Sequence, residues 1–413
     1  MDEIFISEIE IEKVRHLQDI KIPLDLKHRK HLILTGKNGS GKTSVLEALS
    51  NFLQNAIIDN KVYGNREAIK ILEKQLEYSL NNKADMTSVK NELNERIKKD
   101  TELRNGIFLK FYGLEEALIS NYTQGNFILA HYKSDRAFEA EVPRHVEKVQ
   151  LKEYYTFKDK PQAELIKFLI DLKKTEALAV SGGKNEKANE IKNWFINFEN
   201  LLKRIYDNET IRLEFDEDAF LFHIREEGKE PFDFNTLSSG FAAILDIVAD
   251  LMIRMEKNSN KAFVYDMQGI VLIDEIENHL HLELHKRIFD LFTTIFPNIQ
   301  FIVTTHSPFV LNSMDNAVIY DLTNHVLVEN GLSDIPYHGI VEGYFQASLL
   351  SDKLKDYFKE YRSIIDKKQL TDADLIRIAQ LEMYLDKIPD YLALDITTEY
   401  QRLKLKLENR EDI

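Results

Sequence analysis

Apolar and charged residues alternate at the start of the chain. Ile4, Ile6, Ile9 and Ile11 are followed by Ile20, Ile22 and Leu24, a period near two that predicts short antiparallel strands. The run His31-Leu32-Ile33-Leu34-Thr35 enters a glycine-rich turn, after which Val45, Leu46, Leu49 and Leu53 fall at helical spacing, so strand, loop and helix succeed one another. From 65 to 103 the period stays helical, through Leu72, Leu76 and Leu80 and then Met86, Val89, Leu93 and Ile97. This predicts a helical hairpin whose stripes bury against each other or the core, or meet another subunit. Phe127 to Ala130 predicts a strand, 161–207 a helical stretch broken at Ser181-Gly182-Gly183, and 211–215 with 220–224 a strand pair. Gly269 to Ile273 and Phe301 to Val303 are uninterrupted apolar runs of the kind buried in parallel sheets. Towards the end, Leu354, Tyr357, Phe358, Tyr361, Ile364 and Ile365, then Leu375, Ile378, Leu381 and Leu385, predict amphipathic helices. The pattern is that of an α/β protein.

Composition narrows the chemistry. The 413 residues, 44% of them hydrophobic, suffice for one large domain or two modest ones. With no cysteine, disulfides, thiolate metal sites and thiol nucleophiles are excluded. Met1-Asp2-Glu3-Ile4 does not begin a secretion signal, and no apolar run reaches the roughly 18 residues of a membrane span. A cytoplasmic chain without a membrane partner is therefore the expectation. The net charge of -15 argues against a surface built to grip phosphate backbones; the cluster Lys27-His28-Arg29-Lys30 is a solvated turn or a local polyanion contact.

Four motifs carry the chemistry. Gly36-Lys37-Asn38-Gly39-Ser40-Gly41-Lys42-Thr43 fits the phosphate-loop pattern in full, between a strand and a helix that continues with Ser44. Its backbone N–H groups can turn around phosphate oxygens, Lys42 can reach the β and γ phosphates of ATP, and Thr43 can ligate Mg2+. The strand 269–273 ends in Asp274, suited to the magnesium shell, and Glu275, suited to polarising an attacking water. Leu237-Ser238-Ser239-Gly240-Phe241 opens a helix and gathers hydroxyls and free N–H groups at its positive end; taken alone it is a good helix start. Phe301-Ile302-Val303-Thr304-Thr305-His306-Ser307-Pro308 places His306 at a strand end, where an isolated histidine is as often structural.

In this order the motifs resemble those of the ATP-binding-cassette ATPases. The resemblance implies a P-loop ATPase head with an antiparallel β subdomain, an inserted helical subdomain and a C-terminal helical extension. The expected division is 1–136 for the first lobe with its hairpin at 65–103, 137–208 for the insert, 209–345 for the second lobe and 346–413 for the extension. It also implies catalytic roles for Glu275 and His306, and a signature of Ser238, Ser239 and Gly240 that closes on the ATP of an opposite subunit. Ser239 and Phe241, standing where transporters often have glycine and glutamine, point to the chromosome-maintenance and repair branch. The hairpin is far too short to be a long coiled-coil arm. One departure is the glutamine that the family carries after the strand of the first lobe: here the strand runs into His131-Tyr132-Lys133-Ser134-Asp135-Arg136, Gln124 precedes it, and Arg136 is a candidate nucleotide or signalling residue.

Glu277-Asn278-His279-Leu280-His281, Thr305-His306-Ser307-Pro308 and the stretch from Tyr337 to Phe345 are similar to ATPase subunits of bacterial anti-phage systems, those of PARIS (AriA) first and of Septu (PtuA) second. That resemblance implies a homodimer or higher homo-oligomer joined through composite ATP sites. It further implies a separate effector nuclease, TOPRIM-like or HNH, and a phage protein or nucleic acid as trigger. RecF-like and overcoming-lysogenisation-defect ATPases are also similar. In the latter a metal-dependent nuclease follows the ATPase, whereas the roughly 100 residues after His306 hold no obvious acidic catalytic cluster, so no nuclease activity is expected here. The competing expectation is a DNA-repair ATPase that binds DNA directly; a scaffold with negligible turnover is a third.

Overall fold

The computed structural model describes residues 3–81, 86–141, 148–259, 263–335, 339–340, 352–367, 369–386 and 394–409. The similarity motif from Tyr337 to Phe345 lies outside them except for Gly339 and Ile340. The chain divides into two compact units, Met1–Asp334 and Ile335–Ile413.

In the first unit, β1 (Phe5–Val14) and β2 (Leu17–Pro23) form an antiparallel hairpin, as the alternation of isoleucines predicts. The alternation changes phase between Ile6 and Ile9. A register shift between Ile6 and Glu8 accounts for this, because the extra residue returns both isoleucine pairs to the buried face. After β3 (His31–Thr35) come α1 (Lys42–Leu53), α2 (Lys61–Asn81) and α3 (Thr87–Arg104). β4 (Ile107–Tyr112), not marked by the sequence pattern, pairs with β1 to complete a three-stranded sheet, and α4 (Glu115–Thr123) leads into β5 (Phe127–Tyr132).

Next come α5 (Leu165–Ser181), α6 (Asn185–Tyr206), the hairpin of β6 (Arg212–Asp216) and β7 (Leu221–Arg225), and α7 (Ser239–Ser259). The helices α5 and α6 gather around Trp194, which is 1% exposed and lies 5.3 to 5.5 Å from the rings of Phe168, Phe195, Phe198 and Phe263. β8 (Gln268–Ile273), α8 (Leu282–His285), α9 (Ile288–Ile295), β9 (Ile299–Thr304), α10 (Pro308–Leu311), β10 (Ala317–Asp321) and β11 (Val326–Val328) follow.

The central sheet has the order β11-β10-β3-β9-β8-β5, parallel except for β11. Its parallel strands are buried along almost their whole length, which explains their unbroken apolar runs. The carboxyl ends of β3, β8 and β9 share one edge, where open parallel sheets present groups to ligands. Two glutamines join the sheets. The Gln300 amide accepts from the Ile6 N–H at 2.8 Å and donates to the Ile6 and Lys30 carbonyls, and Gln268 accepts from the Ile4 N–H at 2.9 Å.

The second unit contains α11 (Asp352–Ile365), α12 (Asp372–Leu385) and α13 (Leu394–Glu408). Thr371 and Asp374 form a capping box that starts α12. Tyr361, Ile365, Ile378, Leu381, Leu385, Tyr400 and Leu403 form the core of the unit, so the periodic positions of 354–385 face inward, with Leu375 at the margin.

Candidate functional site

The phosphate loop begins where β3 ends. Gly36 has φ 137° and Gly41 has φ 98°, conformations that side chains resist. A Cβ at Gly36 would lie 2.8 Å from the hydroxyls of Ser40 and Thr323, and one at Gly41 would lie 2.9 Å from Leu17. Gly41 is the N-cap of α1, so the unpaired N–H groups of that helix open towards the loop. Lys37, Asn38, Gly39 and Thr43 are exposed, Ser44 is half-buried, and Ser40 and Lys42 are buried. The Lys42 ammonium donates to the carbonyls of Gly36 at 3.0 Å and Lys37 at 3.2 Å. Burial lowers its pKa, while Glu275, Glu277 and Asp274 act against that shift. The Ser40 hydroxyl, buried and without a hydrogen-bond partner among the described residues, is an orphan that a phosphate oxygen would satisfy. Thr323, in the turn after β10, accepts the Lys37 N–H at 2.8 Å and braces the loop from behind.

Asp274 stands at the end of β8, opposite. Thr43 Oγ1 donates to its two oxygens at 3.0 and 3.2 Å, and Thr304 Oγ1, from β9, donates at 2.6 Å. Thr304 Oγ1 also accepts the Glu275 N–H at 2.7 Å. Within β9 this threonine reads as an ordinary strand former, and sequence reasoning missed it. Glu275 follows in the left-handed region at φ 46°, half-buried, with its carboxylate free of hydrogen bonds among the described residues. Glu277, also missed as a site residue, accepts the His306 N–H at 2.6 Å. The imidazole of His306 has a lowered pKa, first from burial and then from Lys42, opposed by Glu277, Glu275 and Asp274. These groups come from four chain segments and meet at one sheet edge.

Ser238, Ser239 and Gly240 make no hydrogen bond to the phosphate loop among the described residues. They start α7, where a Cβ at Gly240 would lie 3.0 Å from the His279 carbonyl. Phe241 stacks on Tyr206 of α6, with ring centroids 4.1 Å apart. Gln124 caps the end of α4, three residues before β5, with its amide donating to the Ser120 hydroxyl, at the opposite end of the strands from Asp274. Arg136 is 6% exposed, and its guanidinium donates to main-chain carbonyls only.

The donors suit magnesium. Thr43 and Asp274 offer hard oxygens in mutual contact, and Mg2+ typically takes one or two protein ligands with water and phosphate oxygens completing its shell. Among the described residues no cluster of three or more His, Asp or Glu offers a richer metal site, and no helix is long and apolar enough to cross a membrane.

Residues 32–312 match the family described as "AAA domain, putative AbiEii toxin, Type IV TA system". The Septu protein PtuA of Bacillus mycoides (strain KBAB4) is 26% identical over 376 residues, covering 89% of this chain and 46% of that protein. The Retron Ec83 "probable ATPase" of Escherichia coli is 31% identical over 180 residues, covering 42% of this chain and 32% of that protein. The chain thus spans less than half the length of these relatives. Among solved structures, the Smc head domain with an extended coiled coil from Pyrococcus furiosus is 13% identical with a TM-score of 0.38, covering 83% of this chain and 100% of that one.

Proposed function

The chain belongs to the AAA-domain family described as putative AbiEii toxin, Type IV TA system, and from that premise we propose that it binds and hydrolyses ATP as a subunit of an anti-phage defence system. The observation that carries the reading is the convergence of Lys42, Thr43, Asp274, Glu275 and His306 at one sheet edge. Lys42 and the loop N–H groups bind and orient the phosphates. Thr43 and Asp274 hold Mg2+, which neutralises phosphate charge when bound. Glu275 orients the attacking water and takes up its proton, and His306, neutral near pH 7, donates a hydrogen bond towards the terminal phosphate.

Ser238, Ser239 and Gly240 serve a second subunit in this reading, which their lack of hydrogen bonds to the phosphate loop of their own chain, among the described residues, supports. ATP then joins two heads and hydrolysis parts them, a conformational cycle that restrains, releases or directs a separate effector nuclease. Support for the defence setting comes from the Septu and retron relatives. The net charge of -15 disfavours the alternative, a repair ATPase that clamps DNA directly.

Phosphate release tests the chemistry. Lys42→Ala is expected to abolish nucleotide binding. Glu275→Gln is expected to keep it while turnover falls roughly 100-fold or more, the usual contribution of a general base. Unchanged turnover in Glu275→Gln would remove the assignment, and negligible release by the parent chain would leave an ATP-binding scaffold. Co-purification with the product of a neighbouring reading frame tests the setting: a nuclease there supports defence, whereas salt-sensitive duplex binding by this chain alone supports repair.

A further inference from the structure

We propose that Arg136 is a positioning residue: it locks the main chain at 274–276 so that Glu275 is held in its left-handed conformation with its carboxylate towards the nucleotide. This rests on the ATPase reading above. The turn is bound on both sides. Its N–H groups are taken by the Tyr132 carbonyl at 2.9 Å, Thr304 Oγ1 at 2.7 Å and the Thr304 carbonyl at 3.1 Å, for Asp274, Glu275 and Ile276 in order. Its carbonyls converge on one guanidinium, with Arg136 donating to those of Asp274 at 2.6 Å, Glu275 at 2.9 Å and Ile276 at 3.4 Å.

Three successive carbonyl dipoles pointing the same way repel one another, and a glutamate in the left-handed region adds backbone strain. A buried cation offsets both. Arginine suits the place because its planar fork spans several acceptors at fixed angles, which a lysine ammonium cannot do. Arg136 is itself anchored through the Lys133 carbonyl at 2.9 Å, and Asn278 ties the end of the turn to the Ser134 carbonyl at 2.9 Å.

The guanidinium is thus committed to the main chain and does not serve the nucleotide. Its charge is balanced by Asp246, Glu277, Asp274 and Glu275. Asp246 belongs to α7, the helix opened by Ser239 and Gly240, and accepts from the Gln162 amide at 3.0 Å. Arg136, Gln162 and Asp246 line a cavity of about 220 Å³ between the end of β5 and α7. The residue that aims Glu275 therefore lies between that glutamate and the signature helix.

The test uses the whole chain with Arg136→Gln and Arg136→Lys, each alone and combined with Glu275→Gln. In Arg136→Gln, kcat is expected to fall roughly 100-fold, the cost of misplacing a catalytic group by about 1 Å, while the KM for ATP stays within about threefold. Arg136→Lys should recover part of the rate, and should carry the measurement if the glutamine variant fails to fold. Adding Arg136→Gln to Glu275→Gln should cost nothing further, since the group being aimed is already disabled. Multiplying losses in the double variant, or a raised KM at unchanged kcat, would overturn the role of Arg136 alone. Parent-like turnover in Glu275→Gln by itself would instead overturn the ATPase reading on which it rests.

Discussion

His31 begins β3, one strand residue after another leading to the phosphate loop, and it is buried with Nδ1 accepting the Phe301 N–H at 3.1 Å. Burial, with Arg29 adding to it, pushes its pKa from 6.5 down to about 3. The folded chain therefore refuses a proton that the unfolded chain accepts below about pH 6.5, so stability is lost as pH falls through that window, by about 1.4 kcal/mol per pH unit. His131, lowered to about 4 by burial, has the same sign. Asp246, raised to about 6 by burial, has the opposite sign, because the folded chain takes up its proton first and gains stability between about pH 6 and its ordinary 3.8. Comparison with His31→Gln isolates the first contribution. The stability of the parent chain relative to the variant, from urea midpoints, should shrink by about 2 kcal/mol between pH 6.5 and 5; a constant difference would reject it. At this scale, legibility followed where the chemistry resides. Gly36 to Thr43 is a site in eight consecutive letters, and Asp274 with Glu275 closes an apolar run. Thr304 leaves no such mark, since it acts from within a strand, and Arg136, a candidate nucleotide or signalling residue by its place after the strand, acts on carbonyls that every residue possesses.

The helices show the same division at larger size. Period alone locates α5, α6 and the buried positions of α11 and α12, because each presents one apolar stripe to one partner. It does not reveal β4, whose Phe108, Lys110 and Tyr112 face outward while Ile107 and Leu109 are buried, a pattern too short to stand out. Nor does it disclose that Asp250 and Arg254, spaced like a surface pair on a helix, are buried with the Tyr132 hydroxyl on the same carboxylate. Phe241 acquires its meaning only from α6, where Tyr206 receives it. A double-mutant cycle on Tyr206→Ala and Phe241→Ala should give a coupling of about 1 kcal/mol in unfolding free energy, typical of a stacked pair. The same pair should couple in ATP turnover if α6 steadies the start of α7, and strictly additive losses in both measurements would show that the rings are independent.

For the whole molecule, the expected consequence of a divided site is complementation. Lys42→Ala spoils one half, and Gly240→Asp, which places a carboxylate at a positive helix end and presses on the His279 carbonyl, spoils the other. Each variant alone should be inactive. An equimolar mixture should recover about a quarter of parental ATP turnover, since half of randomly formed dimers are mixed and each of those contains one intact site. No recovery would point to an arrangement in which the signature does not cross between subunits.

The two glutamines at the starts of β8 and β9 constrain what heredity can do with this chain. Gln300 is fully buried, and its amide both accepts from and donates to Ile6, so a side chain supplies the rung that a neighbouring strand would otherwise supply. Asparagine is too short by a methylene, and glutamate would turn an acceptor towards the carbonyls of Ile6 and Lys30. The seam between the sheets thus rests on two letters, each of which resembles a polar accident beside an apolar run. A replacement of Gln300 would leave the Ile6 N–H and the Ile6 and Lys30 carbonyls to find other partners, a demand independent of any motif at the nucleotide.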